Sequence, residues 1–116
     1  MSSAEQRKNK RSKTPFDGMI DASDTSMQSR IVNISVSGIL ASTLVPIAEM
    51  TSVDMTIELP TAQLKLLEVE GTVVRCYPDP ESPGEFLVAI LFKHLDPGTY
   101  ETIRTYVDFD NPLDEL

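Results

Sequence analysis

Apolar and polar residues alternate along most of this chain, most clearly in Val53-Asp54-Met55-Thr56-Ile57-Glu58-Leu59. A period of two belongs to an extended strand, so Val53, Met55, Ile57 and Leu59 are expected to face a core and Asp54, Thr56 and Glu58 to face solvent. Pro60 ends that strand. The same pattern predicts a first strand near Phe16–Ala22, a second from about Met27 to Asn33, and a third over Ile39–Thr43. Ser23-Asp24-Thr25-Ser26 reads as the turn between the first two. Val45–Met50 reads as a loop, because Pro46 disfavours a long helix there. Gln63–Tyr77 reads as one longer strand or a bent pair, with Gly71 as the expected bulge or bend. Pro78–Gly84 is a loop, and the apolar run Phe86–Phe92 that follows is predicted to be a buried strand.

Near the C-terminus the period changes. Asp96 is placed to cap a helix whose first residue is Pro97. Tyr100, Ile103 and Val107 fall at helical spacing and form its expected apolar edge, with Arg104 beside them. From Asp108 to Leu116 the chain is an acidic tail broken by Pro112. About six strands and one terminal helix in 116 residues predict a small all-β domain. A closed or nearly closed antiparallel barrel would leave few sheet edges exposed, and the helix would cover an open end.

Charge changes this picture at the N-terminus. Residues 1–13 carry five basic side chains, Arg7, Lys8, Lys10, Arg11 and Lys13, against Glu5, a net +4; the remainder carries −12 of the overall −8. The body should therefore repel polyanions such as DNA or RNA, while the arm attracts anions. The arm has no apolar periodicity and is expected to be disordered without a ligand. No apolar run reaches 18 residues, so no membrane insertion is expected, and the polar N-terminus is unlike a secretory signal. The single cysteine, Cys76, excludes an internal disulfide and reads as a small core residue; a cytoplasmic location is the default.

One stretch carries candidate chemistry. In Asn33-Ile34-Ser35-Val36-Ser37-Gly38 the polar residues alternate with Ile34 and Val36. An extended strand would then offer an amide and hydroxyls on one surface, ending at a glycine where a turn or a close-approaching ligand needs no Cβ. A nucleobase edge is the ligand type that best matches such a set. Upstream stands an Arg-x-x-x-Arg pair, Arg7 and Arg11, with Arg11 lying 22 positions before Asn33.

These two pieces, in this order, resemble the PilZ domain family, the bacterial receptors for cyclic di-GMP. The resemblance spans about residues 5–107 and agrees with the order of predicted elements. It implies a six-stranded antiparallel β-barrel with a C-terminal α-helix. The division would be a flexible arm over 1–14, the barrel and helix over 15–107, and the tail over 108–116. It also implies that Arg7, Arg11, Asn33, Ser35 and Gly38 bind cyclic di-GMP, with no cofactor beyond that ligand. A guanidinium can clamp a phosphate, read a guanine edge or stack on a base. Arg75 is a further candidate on the same surface. Many family members have a basic residue before the first motif arginine; here it is Gln6, which bears on whether one ligand or an intercalated pair is bound. The implied output is a changed surface for an unidentified effector protein, in motility, biofilm or exopolysaccharide control.

Rival classes have less behind them. An enzyme needs a nucleophile, a base or a metal cluster. The only histidine, His94, sits at a strand-to-helix junction, and Glu68 and Glu70 read as a solvated face. Asp108-x-Asp110-Asn111 lacks the glycine of a calcium loop. An oligonucleotide-binding barrel would need a basic groove and aromatic platforms, and only 6% of the residues are aromatic. A protein-interaction adaptor that binds no nucleotide is the remaining alternative.

Overall fold

The structure of the chain, a computed structural model, describes residues 16–22, 25–60 and 65–109. Strands β1 (Phe16–Ala22), β2 (Thr25–Ile34), β3 (Gly38–Thr43), β4 (Ser52–Leu59), β5 (Lys65–Pro78) and β6 (Phe86–Lys93) precede helix α1 (Pro97–Phe109). All neighbouring strands are antiparallel, and they close in the order β1-β2-β3-β6-β5-β4. The all-β barrel expected from the pattern is the one that forms.

Alternation explains its interior. Val53, Met55, Ile57 and Leu59 are buried, as expected, beside Ile20, Ile31, Ile34, Val73, Val88 and Ile90. Each such side chain contributes about 1.5–3 kcal/mol on burial. Asp96 caps α1: its Oδ2 accepts hydrogen bonds from the backbone N–H groups of Gly98 and Thr99 at 3.1 and 3.3 Å. The Thr99 hydroxyl donates to Oδ1 at 2.6 Å. The helix buries Ile103, Tyr106 and Val107 in the core, with the Tyr106 ring edge-on to Phe16 at 6.0 Å. Tyr100, expected on that edge, is 40% exposed. The stripe is instead the i, i+3, i+4 set starting at Ile103, and the helix continues through Asp108, where a tail was expected.

Other boundaries also shift. Pairing of Ala22 with Thr25 and of Asp21 with Ser26 brings Thr25 and Ser26 into β2. β5 is a single strand, and Gly71 is not its bulge: it pairs in register with both Val53 and Phe92. A Cβ there would lie 2.5 Å from Ile90 Cγ2 and 2.8 Å from the Leu91 carbonyl oxygen, so close packing is what requires the glycine. The register of β5 against β6 instead shifts between Val73 and Arg75, leaving Val74 as the extra residue. A second shift, between Ile31 and Asn33, leaves Val32 extra on β2. β6 is not buried on both faces. Val88 and Ile90 point inward, while Leu91, on the outer face, is half exposed. The predicted loop after β3 is a loop, with Ile47 buried and Met50 in a left-handed conformation at φ 71°. Among the described residues no helix is long and apolar enough to cross a membrane.

Candidate functional site

The Asn33–Gly38 stretch is not one extended strand. β2 ends at Ile34, residues 35–37 turn, and Gly38 starts β3. The Ser35 N–H donates to the Gly38 carbonyl at 2.9 Å, closing the turn. The Ser35 and Ser37 hydroxyls lie 3.0 Å apart, and the Ser37 N–H donates to Ser35 Oγ at 3.3 Å. The predicted alternation survives in outline: Ile34 is in the core and Val36 packs against it.

The Val32 bulge decides where Asn33 goes. Ile31 faces the interior, so an unbroken strand would send Asn33 inward as well. One extra residue reverses the alternation from that point on. Asn33 pairs with Leu40 on the outer face and Ile34 with Ile39 on the inner. Gly38 has its own constraint. A Cβ on it would lie 2.2 Å from the Ile90 carbonyl oxygen, so β3 reaches β6 here only through a glycine.

A cleft of about 220 Å³ opens on this outer face. Asn33, Ser35, Ser37 and Gly38 line one side, Leu40, Ala89 and Leu91 form an apolar floor, and Val74 and Tyr77 of β5 stand on the far side. None of its described lining residues is charged. Asn33 is 6% and Ser35 2% exposed. The structure thus brings together three of the five residues proposed from the sequence, Asn33, Ser35 and Gly38. Arg7 and Arg11 lie outside the described residues. Among the described residues the Asn33 side chain has no hydrogen-bond partner, although its amide carries two donors and an acceptor.

Tyr77 and the floor were missed in the sequence. Their signal was the uninterrupted apolarity of β6, whose outward positions Leu87, Ala89 and Leu91 lack the polar residues found outward on β4. Arg75, a candidate from the sequence, is exposed, with its guanidinium carbon 5.2 Å from the centre of the Tyr77 ring. His94 is exposed, and Cys76 is half-buried and packs against the core. No group of three or more potential metal ligands occurs among the described residues.

The family model described as PilZ domain matches residues 5–109. The Bacillus subtilis inhibitor of motility (MotI/DgrA) has a similar structure, with a TM-score of 0.81 at 20% identity, over 94% of this chain and 52% of that one. This chain thus spans about half the length of that neighbour. The PilZ domain of YcgR from Escherichia coli, solved with c-di-GMP, is similar at a TM-score of 0.69 and 11% identity, over 95% of this chain and 94% of that one. No curated protein sequence matches the chain.

Proposed function

The chain belongs to the PilZ domain family, and from that premise we propose that it is a receptor for cyclic di-GMP that passes its bound state to a protein partner. The observation that carries this reading is Asn33, 6% exposed and without a described hydrogen-bond partner in a cleft it shares with Ser35 and Gly38. Leaving a buried polar group unpaired costs about 1–3 kcal/mol. A ligand that offers a base edge recovers that cost at the moment of binding. The c-di-GMP in the YcgR neighbour agrees with this ligand.

The two phosphates need cations, and the described cleft has none in its lining. Arg7 and Arg11 supply them, clamping the ligand from the arm while Asn33, Ser35 and Gly38 hold it from the barrel. Ordering the arm costs about 1–2 kcal/mol per backbone residue fixed, and each charge-assisted contact returns about 1.5–3 kcal/mol. Affinity is therefore moderate and loss of either arginine severe. The chain acts as a binding protein rather than an enzyme, in the cytoplasm, where the messenger is. Leu44, Val45 and Met50 of the β3–β4 loop, 73%, 50% and 77% exposed, are apolar side chains that a protein partner would cover. Motility control is the output nearest to the MotI neighbour; biofilm or exopolysaccharide control are other family outputs.

The test is calorimetric titration of cyclic di-GMP into the full chain, beside Arg11→Ala. Micromolar or tighter binding that the variant loses is expected, and the molar ratio reports one ligand or an intercalated pair. No heat, with no shift in a parallel NMR titration, would replace this reading with a protein-binding adaptor that uses no nucleotide.

A further inference from the structure

The two bulges act on one row of the barrel. Asn33 pairs with Leu40, Leu40 with Ala89, and Ala89 with Arg75. Four strands, β2, β3, β6 and β5, therefore present Asn33, Leu40, Ala89 and Arg75 side by side on the outer face. At both polar ends of this row one residue is left unpaired. Val73 faces the core, so if Val74 were paired in register the alternation would send Arg75 and then Tyr77 inward. An unpaired guanidinium in that interior would be strongly unfavourable. With Val74 unpaired, Arg75 and Tyr77 pair with the outward residues Ala89 and Leu87, and Cys76 turns toward Val88 in the core.

We infer that Arg75, held over the Tyr77 ring, is a direct ligand contact on the far side of the cleft from Asn33; this rests on the receptor reading above. Neighbouring strands are about 4.8 Å apart, so Asn33 and Arg75 stand up to about 14 Å apart along the sheet. The two bulges thus frame an apolar floor with an amide at one end and a cation at the other. No carboxylate among the described residues pairs with Arg75. Its stacking on Tyr77 limits the positions its guanidinium takes without neutralising it, and the planar fork remains available to a phosphate or a guanine edge. Tyr77, which lines the cleft itself, is the positioning residue for Arg75.

The experiment titrates cyclic di-GMP into the unaltered full chain, Arg75→Ala, Arg75→Lys and Tyr77→Leu. Arg30→Ala serves as control, because Arg30 is exposed on β2 outside the lining of this cleft. Thermal unfolding is measured on each. The expected result is a loss of about tenfold or more in affinity for Arg75→Ala, partial recovery with Arg75→Lys, a smaller loss for Tyr77→Leu, and no change for Arg30→Ala. Unfolding midpoints should stay close to that of the unaltered chain for both Arg75 variants. Binding to Arg75→Ala within twofold of the unaltered chain would overturn this inference and leave the receptor reading intact. No binding to the unaltered chain would overturn both.

Discussion

Two outer faces of the same barrel have opposite characters. On the β1–β4–β5 face the register is unbroken, and Asp21, Asp54 and Glu70 stand directly opposite one another across three strands. A groove of about 430 Å³ runs there, lined by those carboxylates and Glu68. On the β2–β3–β6–β5 face the register is broken twice, the cleft is about half that size, and its described lining holds no charge. Volume alone would nominate the wrong groove for an anion. An acidic groove repels a phosphate, whereas an apolar floor beside a buried amide and an outward arginine accepts a nucleotide. A regular ladder presents what its alternation dictates; a bulge lets the fold present residues that alternation would have hidden.

The strongest way to break this contrast is to place a charge on either side of the β5 bulge. Val73→Arg puts a guanidinium at a fully buried core position, and stability should fall by about 3–5 kcal/mol, the cost typical of an uncompensated buried charge. Val74→Arg, at the unpaired and half-buried position that lines the cleft, should cost far less. Urea unfolding of both variants checks this, and equal losses would show that the two positions do not differ in facing.

A sharper test separates binding from folding. Asn33→Leu replaces a buried amide that has no described partner with an apolar group of similar size. Binding of cyclic di-GMP should be lost by tenfold or more while stability holds or rises by about 1 kcal/mol. Calorimetry and urea unfolding on the same sample check both halves; a loss of stability would mean that the amide serves the fold.

The acidic face should respond in the other direction. Asp54→Asn removes the central charge of a like-charged row, which should stabilise the chain by about 0.2–1 kcal/mol. Ligand affinity should hardly change at physiological salt, because the exposed charges on that face are screened within about 8 Å. Equilibrium unfolding and the same titration report the two effects.

Asp96 belongs to neither face and has the smallest expected effect. Hydrogen bonds from the Thr99 side chain, and then from backbone groups, hold its carboxyl below the ordinary carboxylate range. A lowered folded-state pKa means that its stabilisation is present above the ordinary range and is lost as pH falls through the folded value. Acid titration of unfolding should therefore be less steep for Asp96→Ala than for the unaltered chain, with the cleft unaffected.

Much of this architecture is legible in the order of residues alone. Period-two patterns and, for β6, a short uninterrupted apolar run locate all six strands, and in β4 the period assigns the facing of Val53 through Leu59. Asp96 and Pro97 mark the start of the helix, because a cap is a local interaction between residues two and three positions apart. Asn33, Ser35 and Gly38 can be picked out by their spacing. Local chemistry and period thus determined the elements, the barrel and part of the site. Only the tertiary structure decided that Val32 and Val74, rather than Gly71, are the extra residues, that Gly38 is required by the Ile90 carbonyl of β6, and that Tyr77 shares the cleft with Asn33. The reason is that a bulge is a mismatch between two strands. Which residue goes unpaired depends on the register of a partner far away in sequence, and one such residue reverses the facing of every side chain that follows it.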